Sequence, residues 1–280
     1  MYVSSLHTYP VKSGRVIDLN TSPINLLGLQ YDRHWVIVEN GQFISQRSHP
    51  QVARLIAIPS GDKLSLSFDG AHYDLDLKTS TRMAPISVWK DEFQASIYLD
   101  PVNDWLSERL GGKFQLASLS GGTRRRRETE GRDVPFDVSF ADGYPILIAT
   151  TASLEALNDY VKEQGEAALP MSRFRPNIVI DGAQPWAEDS WKQIKICDVV
   201  IDCIKPCTRC IMTTLDPISG DSLGDMSLKA LTHLRRSADK RIKGVLFGTN
   251  AIPLGAGQIK QGDKVEILES KTPWSVHQSI

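Results

Sequence analysis

The chain has 280 residues, of which 41% are hydrophobic and 23% are charged, and its formal net charge is −1. This length suffices for one large or two ordinary domains with a substantial buried core. The near-zero net charge gives no whole-molecule attraction to nucleic acid, and no run of 18 apolar residues is present to form a transmembrane helix. The polar start also lacks the charged and apolar regions of a secretory signal, so the sequence predicts a cytoplasmic protein without a nucleic-acid or membrane partner.

Strand-type segments outnumber helical ones along the chain. The segments that alternate or run apolar over strand lengths are Arg33–Val38, Lys63–Phe68, Ala71–Leu77, Pro145–Ala149, Asn177–Asp181 and Lys264–Leu268. The segments with apolar residues at helical spacing are Pro101–Leu110, Ser153–Lys162 and Ser227–Arg236. The first of these helices has Asp100 as its expected N-cap and Gly111 at its end. Together the patterns predict an α+β protein that is mostly β.

A change in composition separates two parts of the chain. Between Ser118 and Asp133, glycine, serine and charged residues replace the apolar alternation. The sequence therefore predicts an N-terminal domain of residues 1–120 and a C-terminal domain of residues 121–270. The arginine run Arg124–Arg127 at this boundary is either a solvated linker or a basic lip that steers an anionic ligand.

All four cysteines lie between Cys197 and Cys210. The last two form a Cys-x-x-Cys unit in which Cys207 and Cys210 flank Thr208 and Arg209. A thiolate is the form of cysteine that acts as nucleophile and as soft-metal ligand. A ligand at this unit would therefore meet sulfur and positive charge together, and the sequence places its chemistry here.

The cysteine spacing leaves other roles open. The pattern C-x5-C-x3-C-x2-C contains one C-x-x-C unit, whereas structural zinc sites usually pair two, and iron–sulfur ligation needs a distant fourth cysteine. A disulfide is disfavoured in a reducing cytosol. Cys197 and Cys203 are an even number of residues apart, so in a single strand they would share one face and pack in the core.

Two segments carry donors for an anionic ligand. Arg175, just before a predicted strand, offers a planar fork for a phosphate or carboxylate, and Asn177 has an amide that can orient a heterocycle edge. Lys12 and Ser13, beside the flexible Gly14, are typical of an anion nest. A surface ion pair and an ordinary loop are the structural alternatives for the two segments.

Weaker signals lie elsewhere. Arg33 faces a ligand or pairs with the adjacent Asp32, and Phe247–Asn250 is typical of a turn. The six histidines are scattered without an i,i+4 pair, so the sequence does not support a histidine metal site. The chain also lacks the glycine-rich nucleotide motifs and the nucleophile-elbow motif.

Several segments together resemble the MOSC-domain proteins. The most specific is Cys207–Gly220, which contains Cys-Thr-Arg-Cys-Ile-Met-Thr-Thr-Leu-Asp-Pro. Tyr9–Ser13, Asp32–Trp35 and Phe174–Ile180 occur in the family's order. More narrowly, the chain resembles the bacterial MOSC/ferredoxin proteins and the mitochondrial amidoxime-reducing component, over about residues 1–268.

The resemblance implies an N-terminal MOSC β-barrel domain followed by a MOSC β-barrel domain with a few helices, with molybdenum cofactor held between them. It implies that Cys210 is the protein ligand of the metal. A soft thiolate suits a metal already bound by pterin dithiolene sulfurs, and cationic donors match a terminal phosphate. The positions that match the family's cofactor contacts are Lys12, Ser13, Arg33, Arg175, Asn177, Thr208 and Arg209, with Asn250 as a further contact.

The implied activity is the reduction of N-hydroxylated compounds, in detoxification. No ferredoxin cysteine set is present in the 280 residues, so the expected electron source is a separate protein of the ferredoxin or flavin-reductase type. The alternative is a sulfur carrier or cofactor-handling protein in which Cys207 or Cys210 holds a persulfide. A pyridoxal-phosphate protein is a third interpretation, but no lysine stands out as its Schiff-base residue.

Overall fold

The computed structural model describes residues 1–99, 101–119, 124–130 and 132–277. The strands in these ranges are β1 (Tyr2–Thr8), β2 (Ile17–Leu19), β3 (Thr21–Asn25), β4 (Gly28–Leu29), β5 (Trp35–Glu39), β6 (Gln42–Phe43), β7 (Ile56–Ser60), β8 (Lys63–Phe68), β9 (Ala71–Asp76), β10 (Thr81–Val88), β11 (Asp91–Tyr98), β12 (Gln115–Ser118), β13 (Arg125–Thr129), β14 (Arg132–Val138), β15 (Ile146–Thr150), β16 (Ile178–Asp181), β17 (Trp191–Ile196), β18 (Val199–Arg209), β19 (Val245–Pro253), β20 (Gly257–Lys260) and β21 (Val265–Ser270). The α-helices are α1 (Val102–Leu110), α2 (Thr151–Glu163) and α3 (Met226–Arg235). The predicted α+β, mostly β fold is confirmed.

A closed barrel organises the N-terminal part of the chain. Its strand order is β10-β11-β12-β5-β6, and the smaller sheet β7-β8-β9 shares a core with it. The first four residues of β5 are buried, which explains their continuous apolar run. Helix α1 packs Leu106 and Leu110 into the same core as Trp35, so the barrel and the helix stabilise one another.

An eight-stranded sheet organises the rest of the molecule, in the order β2-β1-β16-β15-β19-β18-β17-β21. Strands β15 and β16 are parallel, and α2 forms the crossover between them, as parallel neighbours require. Thr150 caps α2 by accepting from the backbone nitrogen of Ser153 at 3.1 Å. Because β1 pairs with β16, the chain's beginning is part of this sheet. The limits 1–120 and 121–270 for the two domains stay a prediction.

The predicted elements agree with the structure apart from their ends. Strand β8 has the predicted bounds, and the other five predicted strands differ by one to two residues at an end. Helix α1 begins at Val102, one residue later than predicted, and ends at Leu110, followed by the capping residue Gly111 with a left-handed φ of 75°. The expected N-cap Asp100 lies outside the described residues. None of the helices in the described ranges is long and apolar enough to cross a membrane.

The two remaining cysteines occupy different environments. Cys203 is 2% exposed in β18, so its predicted place in the core is confirmed, and burial raises the pKa of its thiol to about 12. The same prediction is wrong for Cys197, which is exposed in the turn between β17 and β18 with a φ of 51°. The even spacing misled because it assumes one continuous strand, and a turn intervenes.

The arginine run is largely structural. Arg124 precedes β13, and the other three arginines begin it. Arg125 is 3% exposed and donates to the carbonyl of Ser139 at 2.5 Å, and both Arg125 and Arg127 pair with Asp91. The linker interpretation is therefore wrong for Arg125. The basic-lip interpretation is wrong for Arg125, which is buried. It stays a prediction for the other arginines, because the single carboxylate of Asp91 in β11 is shared by Arg125 and Arg127 and cannot neutralise both.

Candidate functional site

An inner cavity of about 180 Å³ collects side chains from distant parts of the chain. Its lining includes all nine residues that the sequence connects with cofactor binding: Lys12, Ser13, Arg33, Arg175, Asn177, Thr208, Arg209, Cys210 and Asn250. Their joint placement is a structural finding, and their individual roles stay predictions.

Strand pairing explains how the C-terminal members of this set converge. In the eight-stranded sheet, Lys205 of β18 lies opposite Asn250 of β19, and Asn250 lies opposite Leu147 of β15. The backbone nitrogen of Asn177 donates to the Leu147 carbonyl at 2.8 Å just before β16 begins. One row across the sheet thus aligns both asparagines with Lys205, five residues before Cys210. The turn predicted at Phe247–Asn250 is wrong, because this segment lies within β19.

The N-terminal members arrive through β1. Antiparallel pairing places Leu6 opposite Ile178, so the chain leaves β1 near the start of β16. It then runs beside the barrel, where the backbone nitrogen of Lys12 donates to the Trp35 carbonyl at 2.8 Å. Lys12 and Ser13 line the inner cavity and are 6% and 8% exposed, so this loop is not an exposed surface connection, and its role as an anion nest stays a prediction.

Three of the cavity residues have left-handed backbone conformations. Ser13 has a φ of 68°, Arg33 of 49° and Arg175 of 53°. Such a conformation costs a non-glycine residue on the order of 1–3 kcal/mol and is retained where surrounding contacts impose it. Strain of this kind concentrates at ligand sites, and here it aims two guanidinium groups into one cavity.

Positive charge dominates the inner cavity. The cationic lining residues are Lys12, Arg33, Arg175 and Arg209. Two carboxylates oppose them, because Asp142 pairs with Lys12 at the cavity and Asp32 pairs with Arg33 at 2.6 Å behind it. Four cations against two carboxylates leave an excess of two positive charges, which suits a dianionic group such as a phosphate monoester. Arg33 pairs with Asp32, as one sequence interpretation expected, and it also lines the cavity, while its contact with a ligand stays a prediction.

Tyr9 links two of these arginines. The guanidinium carbons of Arg33 and Arg175 each lie 4.1 Å from the centre of the Tyr9 ring. Tyr9 is 1% exposed, and its hydroxyl donates to the Pro176 carbonyl at 3.2 Å. A buried aromatic ring attracts both cations through its π face without neutralising them. The ring thereby holds the two donors in place while leaving their charge available to a ligand.

Burial shifts the proton affinities of these groups. It lowers the pKa of Arg175 to about 10, lowers the pKa of Lys12 from its ordinary value, and raises the pKa of Tyr9 to about 12. Loss of water acts to raise the pKa of Asp142, but attraction to Lys12, with its hydrogen bond, outweighs that effect and holds the pKa well below the usual range. At neutral pH Arg175 is therefore a cation and Asp142 an anion.

Each thiol of the Cys-x-x-Cys unit accepts from an arginine. Arg209 Nη1 donates to Cys207 Sγ at 3.0 Å, and Arg47 Nη2 donates to Cys210 Sγ at 3.0 Å. Both thiols are half-buried. Both also line a second, outer cavity of about 620 Å³ that shares this wall with the inner one. The thiols thus lie in the wall that the two cavities share.

Sequence reasoning missed three residues around Cys210. Arg47 lies with its guanidinium carbon 4.8 Å from the centre of the Trp89 ring, and Trp89 Nε1 donates to Asp142 Oδ1 at 2.8 Å. Trp89 has a φ of 58°, in the turn between β10 and β11. Nothing local in the sequence marks Arg47 or Trp89, because both reach the site from barrel loops. The Asp142-Gly143 pair reads only as a turn signal.

A preformed cluster of protein metal ligands is not found. Over residues 1–99, 101–119, 124–130 and 132–277, no group of three or more His, Cys, Asp and Glu side chains is placed to hold a metal ion. The four cysteines are divided among a turn, the core and the cavity wall. Cys207 and Cys210 alone among them face a common space.

Comparison with known proteins agrees with this arrangement. The MOSC N-terminal beta barrel domain matches residues 1–113, and the MOSC domain matches residues 135–266. The chain is 31% identical to mitochondrial amidoxime-reducing component 1 of Homo sapiens over 285 residues, which cover 95% of this chain and 82% of the human protein. The chain belongs to the MOSC-domain family. The resemblance read from the sequence is thereby confirmed.

Other relatives of this MOSC protein are named molybdenum cofactor sulfurase. The chain is 28% identical to molybdenum cofactor sulfurase of Oryza sativa subsp. japonica over 293 residues. The alignment covers 98% of this chain but only 35% of the rice protein. The MOSC family therefore includes both reductive and sulfur-handling proteins among the relatives of this chain.

Proposed function

We propose that this protein binds molybdenum cofactor in the inner cavity through Cys210 and reduces N-hydroxylated compounds with electrons from a separate electron-transfer protein. The observation that carries the proposal is the meeting of a soft thiol with an excess of positive charge in one cavity. The 31% identity to an amidoxime-reducing component over nearly the whole chain supports the reductive direction.

The residues present fit this cofactor. The net positive charge matches a terminal phosphate, and the Cys210 thiol matches a metal that pterin sulfurs already coordinate. Arg209 supplies a further signal, because its buried Nε has no hydrogen-bond partner among the described residues. An unpaired buried donor costs free energy, and an anionic ligand in the inner cavity would relieve that cost.

The chain's own residues have separable tasks in this proposal. When bound, the cofactor supplies the two-electron chemistry that removes oxygen from an N–OH group. Cys210 holds the metal at the wall that both cavities share, while Arg175 and Arg209 orient the phosphate. Asp142 stays ionised because its pKa is held low, so its carboxylate accepts a hydrogen bond from an N–H or O–H of the substrate.

Metal analysis tests cofactor binding directly. Protein produced in a host that makes molybdenum cofactor should contain molybdenum and releasable pterin in equal amounts, because thiol and phosphate donors line the same cavity. Inductively coupled plasma mass spectrometry and pterin fluorescence after acid release provide the two measurements. Stoichiometric zinc without pterin would show that the assignment is wrong.

A sulfur carrier is the second candidate, and a specific observation favours it. Cys207 and Cys210 are half-buried, face an open cavity, and each accepts from a guanidinium group. Such thiols are accessible to sulfur transfer. The likeness to a molybdenum cofactor sulfurase is consistent with this role.

Donor dependence separates the two candidates. The holoprotein should be nearly inactive toward a hydroxylamine with NADH alone and should turn over with reduced viologen, because a reductase of this kind takes electrons from a separate donor. A persulfide carrier should instead show cyanide-releasable sulfur on Cys207 or Cys210 after incubation with a cysteine desulfurase and cysteine. Fully metallated protein that loads sulfur but reduces no N–O substrate with strong donors would overturn the reductase proposal.

A further inference from the structure

The outer cavity is strongly basic. Its cationic lining residues are Arg47, Lys205, Arg209, Arg241 and Lys243, and Asp142 is its single lining carboxylate within the described chain. Cys207 and Cys210 lie in the same wall. The approach from solvent to the thiols therefore carries a net positive charge, and such a surface attracts negatively charged partners.

Several of these charges face outward without being neutralised. Lys243 is exposed and forms no ion pair with a described residue. Lys205 has its Nζ 5.5 Å from the centre of the Tyr144 ring, a contact that leaves the ammonium charge intact. Arg241 is shared between Asp239 at 2.7 Å and Glu130 at 3.9 Å. These carboxylates neutralise Arg241. We call Arg47, Lys205 and Lys243 the basic rim.

We propose that the basic rim is the docking surface for an acidic electron-transfer protein. The inference rests on the proposed function, which needs electrons from outside the chain. A partner seated on the rim would lie beside Cys210, because the rim residues and Cys210 line the same cavity. Charge complementarity speeds association, and the small interfaces of electron-transfer complexes depend on it for their specificity.

The stoichiometry of the reaction favours such transient docking. Reduction of an N–OH group to N–H takes two electrons and two protons and releases one water molecule. A one-electron donor such as a plant-type ferredoxin must therefore dock and leave twice in each turnover, with the protons taken from solvent. Electrostatic attraction at exposed side chains suits this requirement, since it raises the association rate while leaving dissociation fast.

The rim differs from the inner cavity in the ligand it suits. A small anion finds donors in the inner cavity, where Arg175 is half-buried and held by Tyr9 and by the Gly14 carbonyl at 3.0 Å. Rim charges such as Lys243 are exposed. Exposed charges contribute little to binding a small anion in water, but they act together on an extended acidic surface.

Charge reversal at Lys243 provides the test. In the holoprotein, Lys243→Glu should raise the KM for an acidic plant-type ferredoxin about tenfold at low ionic strength, because rim charges act mainly on association. Added salt should raise the wild-type KM for ferredoxin and reduce the difference in this KM between the wild type and Lys243→Glu. The substrate KM measured with reduced methyl viologen should change less than about twofold, because a small donor does not need the rim. Lys113→Glu is the matched control, since Lys113 is an exposed lysine that lines neither cavity.

Two outcomes would overturn the docking surface. Equal ferredoxin KM values for Lys243→Glu and Lys113→Glu would show that the rim does not select the partner. A higher substrate KM in Lys243→Glu with viologen would show that the rim binds an anionic substrate instead. Docking can also be measured without turnover, by calorimetric titration of the protein with ferredoxin at low salt. A wild-type protein that binds ferredoxin but shows no activity with viologen would therefore contradict the proposed function and not the docking surface.

Discussion

Replacing Cys210 by serine is expected to abolish molybdenum retention and N–O reduction, whereas replacing Cys207 should leave much of both. Serine preserves the size of the side chain, but its oxygen is a hard donor and stays protonated near neutral pH, so it is a poor ligand for a metal bound by sulfurs. The contact from Arg47 is retained in form, because the hydroxyl can accept from the same guanidinium. The expected loss is therefore specific to the metal.

The two motif cysteines are a matched pair for this experiment. Each is half-buried, each lines both cavities, and each accepts from an arginine at 3.0 Å. Their backbones differ, since Cys207 lies within β18 and Cys210 precedes the 3₁₀ turn Ile211–Thr214. Molybdenum content, the visible absorption of the oxidised protein and viologen-linked turnover should all separate the variants. Equal losses would point to a paired redox role for the Cys-x-x-Cys unit.

Much of the fold was predictable because its elements have local signals. Strand β5 has a continuous apolar run because both of its faces are buried, and β8 alternates because only one of its faces is buried. Closure of the barrel has no such signal, because β5 pairs with β12 across more than 70 residues of chain. Local pattern therefore predicts the strands, and long-range pairing decides the order in which they join.

The residues of the candidate site also divide into those with a local sequence signal and those without one. Cys210 and Arg209 stand in a specific string, so sequence alone singles them out. Arg47 donates to the Cys210 thiol and Trp89 donates to Asp142, both from barrel loops, and these contacts exist only after the two parts of the chain have packed together. Asn250 seemed to belong to a turn because Gly248 precedes it, yet Gly248 has a φ of 73° inside β19. There an added Cβ would lie 2.6 Å from the Ile148 carbonyl oxygen, so glycine serves close strand packing.

Arg175→Ala is expected to weaken cofactor retention far more than it weakens the fold. Losing a charge-assisted hydrogen bond to a phosphate costs roughly 1.5–3 kcal/mol of binding, which is about tenfold to more than a hundredfold in affinity. The structural contacts that disappear are one hydrogen bond to the Gly14 carbonyl at 3.0 Å and the stacking on Tyr9. Pterin and molybdenum per protein after gel filtration, together with the melting temperature, measure the two effects separately.

Arg173→Ala is the control that makes this prediction decisive. Arg173 lies two residues earlier, in the 3₁₀ turn Met171–Phe174 that Arg175 caps, is 5% exposed, and donates from Nε to the Thr213 carbonyl at 2.7 Å. It does not line the inner cavity but supports the turn that follows Cys210, so its loss should lower the melting temperature and reduce the retained cofactor less than Arg175→Ala does. Arg175→Ala should lose more cofactor than Arg173→Ala, and Arg173→Ala should lose more thermal stability than Arg175→Ala. A collapse of stability in Arg175→Ala with normal cofactor content would make Arg175 a structural residue, and the phosphate would then depend on Lys12 and Arg209.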